Sequence, residues 1–148
     1  MPDDRTWAEK KAQEILAKRQ REDLERRTFL EAQVLIGTKM PDMWAEVKNA
    51  LRSKIEALNK ALGDSLLAYA QADNDVVTIK LKNMTDDVSV RFNPEKRSVA
   101  AHTINNSFDW DGKVVTGHVY FVSRQVENKP MTPDEVATHI LNDVSKFL

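Results

Sequence analysis

Residues 41–63 read PDMWAEVKNALRSKIEALNKALG, and this stretch decides the predicted fold. Its large apolar residues recur at steps of three or four residues, which places them on one face of a helix. They are Trp44, Val47, Leu51, Ile55, Leu58 and Leu62. Pro41 suits the first turn of a helix and Gly63 suits its end, so we predict an amphipathic helix between them. A helix with such an apolar face needs another apolar surface to pack on.

The residues after Gly63 show the pattern of that surface. Apolar and polar residues alternate there, which is typical of strands with one buried and one solvated face. We predict five antiparallel strands, at residues 66–72, 77–82, 88–92, 99–104 and 113–125. A last helix follows, opened by Thr132 and Glu135 as a capping box with Pro133 in its first turn. Its apolar stripe consists of Val136, Ala137, Ile140, Leu141, Val144 and Phe147.

The N-terminal residues predict another, longer helix. Thr6 and Glu9 have the spacing of a capping box, and Gly37 is the natural end of this helix. Apolar residues are sparse at first and dense in its last third, so we expect only that third to pack into the core. We therefore predict a mostly solvated helical arm at residues 1–28 and a single α+β domain at residues 29–148. The domain combines the second helix, a five-stranded antiparallel meander and a C-terminal helix packed on one face.

The composition excludes several classes of function. The 148 residues include 22 basic and 23 acidic side chains, which argues against a globally basic nucleic-acid-binding protein. The chain has no cysteine, so disulfides, thiolate nucleophiles and sulfur-based metal sites are excluded. Its four glycines are too scattered for a phosphate-binding loop. We expect a cytoplasmic protein without cofactor or membrane partner, because neither a secretory pattern nor a membrane-spanning apolar stretch is visible.

Two histidines, His102 and His118, raise the question of a metal site between neighbouring strands. A five-residue loop at 108–112 would place them opposite each other, whereas a tight turn at Asp111-Gly112 would separate them. Asp-Gly is a strong signal for a two-residue hairpin turn, since both residues tolerate positive φ angles. We therefore predict the tight turn, an exposed or edge position for Trp110, and no metal site.

The leading hypothesis for function is a non-enzymatic domain that associates with itself or with another protein. Its evidence is the N-terminal helix, whose first large apolar residues are Trp7, Ile15, Leu16 and Leu24. A tryptophan near the start of a polar helix is better explained by packing than by exposure, either on the chain's own helices or on another subunit. We predict these four side chains as the interaction surface.

The second hypothesis is a small-molecule-binding protein or an enzyme, with a cavity between the sheet and the helices. The polar side chains that would line this cavity are His102, Asn106, Tyr69 and Tyr120. The sequence contains neither a Gly-x-Ser-x-Gly nor a His-Glu-x-x-His motif. We therefore favour binding over catalysis and predict no catalytic residues.

A third hypothesis is nucleic-acid binding through residues 10–27, which carry seven basic and four acidic side chains. Acid–base pairs four residues apart, such as Glu14–Lys18 and Glu22–Arg26, explain these charges as the solvated surface of a helix. No aromatic residue lies among them to stack on bases. Nucleic acid is therefore the weakest of the three predicted partners.

Overall fold

The structure, a computed structural model, describes residues 2–126 and 129–148. In these residues it shows one helix of 61 residues, α1 (Pro2–Leu62), seven strands and a C-terminal helix. The strands are β1 (Leu67–Asp73), β2 (Val76–Leu81), β3 (Asp87–Asn93), β4 (Ser98–His102), β5 (Ser107–Val115), β6 (His118–Ser123) and β7 (Pro130–Met131), and the last helix is α2 (Pro133–Ser145). The chain forms two compact units, one that ends at Val34 and one that begins at Leu35.

The α+β class fits, but the predicted layout is wrong. The two predicted N-terminal helices are a single helix, and the described residues form a seven-stranded antiparallel sheet instead of a five-stranded one. Because α1 already begins at Pro2, Thr6 lies inside the helix and not at its cap. The strands follow one another in chain order from β1 at one edge to β7 at the other, so the meander topology is as predicted.

α1 continues through Gly37 and Pro41, which the sequence rules predict as helix boundaries. A proline inside a helix lacks one hydrogen-bond donor, and its ring crowds the carbonyl group four residues earlier, at a cost of about 3 kcal/mol. Met40 and Trp44 flank this proline and keep only 1% and 3% of their surface exposed. Burying a large apolar side chain contributes about 1.5–3 kcal/mol, so the packing of the helix outweighs the local cost of Pro41.

The C-terminal end of α1 lies at Gly63, as predicted. Gly63 has a φ angle of 67°, a conformation that favours glycine. Its N–H group donates to the carbonyl of Lys60 at 3.3 Å, and the N–H group of Asp64 donates to the carbonyl of Asn59 at 3.2 Å. These are the two hydrogen bonds of a Schellman motif, which satisfies carbonyl groups that the helix leaves without partners.

The tight turn near the end of the sheet lies at Thr116-Gly117 and not at Asp111-Gly112. Thr116 and Gly117 have φ angles of 47° and 81°, so they adopt the positive-φ conformation that hairpin rules assign to Asp-Gly. Asp111 and Gly112 lie inside β5, and the predicted strand at 113–125 is the end of β5 followed by β6. The predicted hairpin turn is therefore displaced by five residues, and one predicted strand becomes two.

The core lies between one face of the sheet and the two helices of the described chain. From the predicted α1 stripe, Trp44, Val47, Leu51 and Ile55 are buried, and Leu58 packs against the core. Leu62 is exposed, contrary to prediction, because it is the last residue of the helix and lies beside the solvated turn. The predicted α2 stripe and its capping box are confirmed: Val136, Ala137, Ile140, Leu141 and Val144 are buried, and Phe147 packs against them.

Trp110 is buried, contrary to the predicted exposed or edge position, because it lies inside β5 and not beside a turn. Its indole N–H donates to the Met131 sulfur at 3.3 Å, so the one polar atom of the ring has a partner.

Gly112, two residues further along β5, lies where α1 comes close to the sheet. A Cβ atom at Gly112 would lie 2.6 Å from Met40 Sδ and 3.0 Å from Ile36 Cγ2.

We predict that Gly112→Ala lowers the free energy of unfolding by about 1–3 kcal/mol, the usual cost of an overpacked core. The added methyl group overlaps with the Met40 side chain. Urea unfolding, followed by the fluorescence of the buried Trp44 and Trp110, measures the change. In a Met40→Ala background the same substitution should cost less, because the closest overlap, with Met40 Sδ, is then removed. An equal cost in both backgrounds contradicts the close approach.

Candidate functional site

The four residues predicted for interaction lie in the N-terminal part of α1, within the unit that ends at Val34. We call residues 3–34 the N-terminal segment. Residues 3–31 are all exposed, and Trp7 keeps 64% of its surface accessible. Ile15, Leu16 and Leu24 are exposed in the same way. Large apolar side chains on a helix surface are thus the first distinctive feature of the chain.

Phe29 and Leu30 add to this exposed apolar surface. The sequence predicts that they pack into the core, but both are exposed, so that prediction is wrong. The reason is the density of the apolar run at 29–36, where six of eight consecutive residues are apolar. Successive helical residues are turned by about 100°, so a dense run surrounds the helix and cannot face one surface. Ile36 is the residue of this run that belongs to the core.

The charged residues of the N-terminal segment form short-range ion pairs. These are Arg5–Glu9 at 3.3 Å, Lys11–Glu14 at 3.2 Å and Lys18–Glu22 at 4.0 Å. The predicted pairs Glu14–Lys18 and Glu22–Arg26 are wrong, because Glu14 and Glu22 pair with lysines on the side toward the N-terminus. Exposed pairs of this kind contribute only about 0.3–0.5 kcal/mol each, so they give the segment little stability.

The structure does not bring His102, Asn106, Tyr69 and Tyr120 together. Tyr69 lies on the core face of the sheet, since its neighbour across β2 is the buried Ile79. His102 on β4 and Tyr120 on β6 lie on the opposite, open face. Asn106 lies in the turn between β4 and β5, where it lines a surface cavity.

That cavity has a volume of about 330 Å³ and is lined by residues of α2, of β5 and of the β4–β5 turn. Its lining residues are Asn106, Phe108, His139, Asn142, Asp143 and Lys146. Asp143 keeps 5% of its surface exposed and accepts hydrogen bonds from Thr103 Oγ1 at 2.6 Å and Asn106 Nδ2 at 2.8 Å. A buried carboxylate requires such partners. The carboxylate thus ties the turn to α2, and the cavity lies beside this connection.

Asp143 is not among the predicted site residues, although the sequence carries a signal for its position. Asp143 follows Ile140 by three residues and directly precedes Val144, so the helical period already places it toward the buried stripe of α2. His139, on the margin of the same stripe, meets Phe108 edge-on at a ring distance of 4.8 Å. The cavity lining thus combines the aromatic ring of Phe108 with polar and charged side chains from α2 and the β4–β5 turn.

His102 and His118 lie on β4 and β6, with β5 between them. Their neighbours on β5 are Ser107 and Val115, eight residues apart, which corresponds to about 27 Å along the strand. The two imidazoles therefore cannot share a metal ion. His102 Nδ1 lies 2.9 Å from the hydroxyl of Ser107, a contact between two exposed side chains on adjacent strands. Among the described residues, no group of three or more acidic or histidine side chains is placed to hold a metal.

An ion pair on the open face joins β5 to the residue that follows β6. The Arg124 guanidinium donates to both carboxylate oxygens of Asp111, at 2.8 Å and 2.9 Å. These hydrogen bonds hold the pKa of the Asp111 carboxyl below its ordinary value of 3.8, while partial burial acts in the opposite direction. The same hydrogen bonds raise the pKa of Arg124. Asp111 is therefore a pairing residue of the sheet surface and not part of a turn.

We predict that Asp143→Ala lowers the free energy of unfolding by about 1–3 kcal/mol, because the Thr103 hydroxyl and the Asn106 amide lose their carboxylate acceptor. Thermal unfolding followed by circular dichroism measures the loss. Asn142→Ala, one residue earlier and exposed, is the matched control and should change stability by no more than about 0.5 kcal/mol. Equal effects of the two substitutions contradict the assigned role of Asp143.

We predict that Arg124→Gln lowers stability by about 0.5 kcal/mol at neutral pH, the scale of a partly exposed ion pair. Because Asp111 has a lowered pKa in the folded state, its contribution is complete above pH 3.8 and is lost as the pH falls further. Urea midpoints of the variant and the native chain should therefore converge in acid. Lys96→Gln, in the β3–β4 turn, is the control. If the stability difference between Arg124→Gln and the native chain persists in acid, the ion pair with Asp111 is not its cause.

Within the described part of the chain, neither helix is both long and apolar enough to cross a membrane. Comparisons with known proteins give no assignment either. No protein-family model, no curated protein and no solved structure matches the chain. The functional interpretation of the chain therefore depends on its own residues and contacts.

Proposed function

We propose that the protein is a non-enzymatic, self-associating domain whose contact surface is the N-terminal segment of α1. The observation that carries this proposal is the exposure of every residue from 3 to 31, including the large side chains of Trp7, Ile15, Leu16 and Leu24. Tryptophan is enriched among the residues that carry most of the binding energy of protein interfaces, and exposed apolar surface marks sites of protein contact.

The weak internal stabilisation of the N-terminal segment supports the same proposal. A helix in water is stabilised mainly by packing of its apolar side chains, and local ion pairs add little. Within the unit that ends at Val34, residues 3–31 have no buried member. Contact with a second helix would bury these side chains and supply the missing stabilisation.

The charges of the N-terminal segment favour a second copy of the chain over a nucleic acid. Residues 3–34 contain eight basic and eight acidic side chains, so their net charge is zero. Two such segments can approach without net repulsion, whereas a phosphate backbone requires a surplus of positive charge. The wider range also weakens the case for residues 10–27 as a nucleic-acid site, since acidic residues flank them on both sides.

The proposal predicts that replacing Trp7, Ile15, Leu16 and Leu24 together by alanine lowers the average mass of the native assembly. Truncation of a central interface tryptophan alone costs more than about 1 kcal/mol in many interfaces, so Trp7→Ala should weaken association about tenfold. Light scattering coupled to size exclusion, over a range of protein concentrations, measures the mass. Leu62→Ala with Met84→Ala, which truncates two exposed apolar residues outside the segment, is the matched control.

Tryptophan fluorescence provides an independent readout of the same contact. Trp44 and Trp110 are already buried, so a blue shift of emission on raising the protein concentration reports on Trp7. The shift should be absent in Trp7→Ala. The proposal is contradicted if the native chain and the fourfold alanine variant show the same mass distribution at every concentration.

A further inference from the structure

The two edges of the sheet differ in how they are protected. β7 forms one edge with only two residues, one of which is Pro130, and proline has no N–H group to offer a further strand. β1 forms the other edge with seven residues, LAYAQAD. It contains neither proline nor lysine, which often block a free edge, and its one irregularity lies near its end, between Gln71 and Asp73. β1 is therefore the edge that can accept another strand.

The hydrogen bonding of β1 shows which of its backbone groups are free for this purpose. The N–H group of Lys82 donates to the carbonyl of Leu66 at 2.9 Å, which makes these two residues a hydrogen-bonded pair. Such pairs alternate along an antiparallel ladder, so Ala68 and Ala70 bond to β2 as well. The N–H and C=O groups of the residues between them, Leu67, Tyr69 and Gln71, consequently face away from β2.

Asn59 of α1 already occupies the first of these outward positions. Its side-chain amide donates to the Leu67 carbonyl at 2.8 Å, and its side-chain oxygen accepts from the Leu67 N–H at 3.1 Å. Asn59 thus takes the place of a neighbouring strand for one residue. The outward groups of Tyr69 and Gln71 have no such side chain bonded to them among the contacts of the described residues.

We propose that β1 pairs with β1 of a second copy of this chain, antiparallel and about a two-fold axis at Ala70. In this register Tyr69 lies opposite Gln71 of the partner subunit, and Gln71 lies opposite Tyr69 of the partner subunit. Each of these pairs exchanges two hydrogen bonds, so the interface uses all the outward N–H and C=O groups of both residues. The two sheets become one continuous sheet.

Registers shifted by one residue leave some of the outward N–H and C=O groups of Tyr69 and Gln71 without hydrogen bonds. An axis at Tyr69 would place Gln71 opposite Leu67 of the partner subunit, whose groups Asn59 already occupies. An axis at Gln71 would place Tyr69 opposite Asp73 of the partner subunit, beyond the irregularity between Gln71 and Asp73 in β1. Only the axis at Ala70 pairs every free group, and the Asn59 of each subunit ends the ladder on either side.

The side chains are compatible with this pairing. On the open face, Ala70 meets Ala70 of the partner subunit, so only small side chains come together at the axis. On the core face, the hydroxyl of Tyr69 is buried without a hydrogen-bond partner among residues 2–126 and 129–148, and pairing brings the amide of Gln71 of the partner subunit to the same face. Residues 67–72 carry no charge, so no like charges meet.

This pairing is independent of the contact surface proposed on the N-terminal segment. It uses backbone groups of the unit that begins at Leu35, whereas the other surface belongs to the unit that ends at Val34. Substitutions in one surface should therefore leave the other intact. Each proposal can fail without the other.

Disulfide trapping of the full-length chain tests the pairing, because the chain has no cysteine of its own. In Ala70→Cys the two cysteines form a non-hydrogen-bonded pair with Cα atoms about 4.5 Å apart, within the range of a disulfide. In Ala68→Cys, the matched control on the same face, they are separated by four residues, about 14 Å along the strand. Mild oxidation should cross-link Ala70→Cys and leave Ala68→Cys monomeric on a non-reducing gel.

The fourfold alanine variant of the N-terminal segment should give the same cross-linking pattern, which separates this test from that of the proposed function. Gln71→Pro removes an N–H group that the β1–β2 ladder does not use, and it should weaken association of the fourfold variant on the order of tenfold. Circular dichroism checks that each variant is folded. Equal cross-linking of Ala70→Cys and Ala68→Cys, or its absence in both, overturns the proposal.

Discussion

The close contact between α1 and β5 at Gly112 is the constraint on which the rest of the core depends. Met40 and Ile36 can lie this near the strand only because Gly112 has no side chain. Helical structure must then persist on both sides of Met40, across Pro41, for Trp44, Val47 and Leu51 to reach the sheet in register. The local preference of a proline to end a helix therefore yields to the packing of the residues around it.

Sequence patterns predict the elements of this fold better than their connections. Alternation identifies β1 to β4 and the helical period identifies the stripe of α2, since both patterns follow directly from burial of one face. The mistakes arise where one residue type has two physical uses. Gly112 permits either a tight turn or a close approach, and Pro41 suits either a helix start or a tolerated interior position. Tertiary contacts decide between the uses, and they are not visible in a local window.

In the candidate site, too, local patterns are predictable from the sequence, whereas tertiary contacts are not. Exposure of Trp7, Ile15, Leu16 and Leu24 agrees with a polar helix that carries isolated apolar residues, which the sequence shows directly. Tyr69 is separated from His102 and Tyr120 because it faces the core, whereas the other two lie on the open face, and the misplaced turn changes only the pairing of β5 with β6. Asp143 illustrates the remaining difficulty, because its partners Thr103 and Asn106 come from a turn about 40 residues earlier.

Pro130 and the short length of β7 limit how many strands can be added to the sheet. A sheet that accepted strands at both edges could grow without limit, as in fibrils. In the proposed β1–β1 pairing, one receptive edge and one blunt edge mean that strand addition to the sheet stops after a single step. β7, with only two residues, would thus prevent a sheet formed by β1 pairing from adding further strands at its other edge.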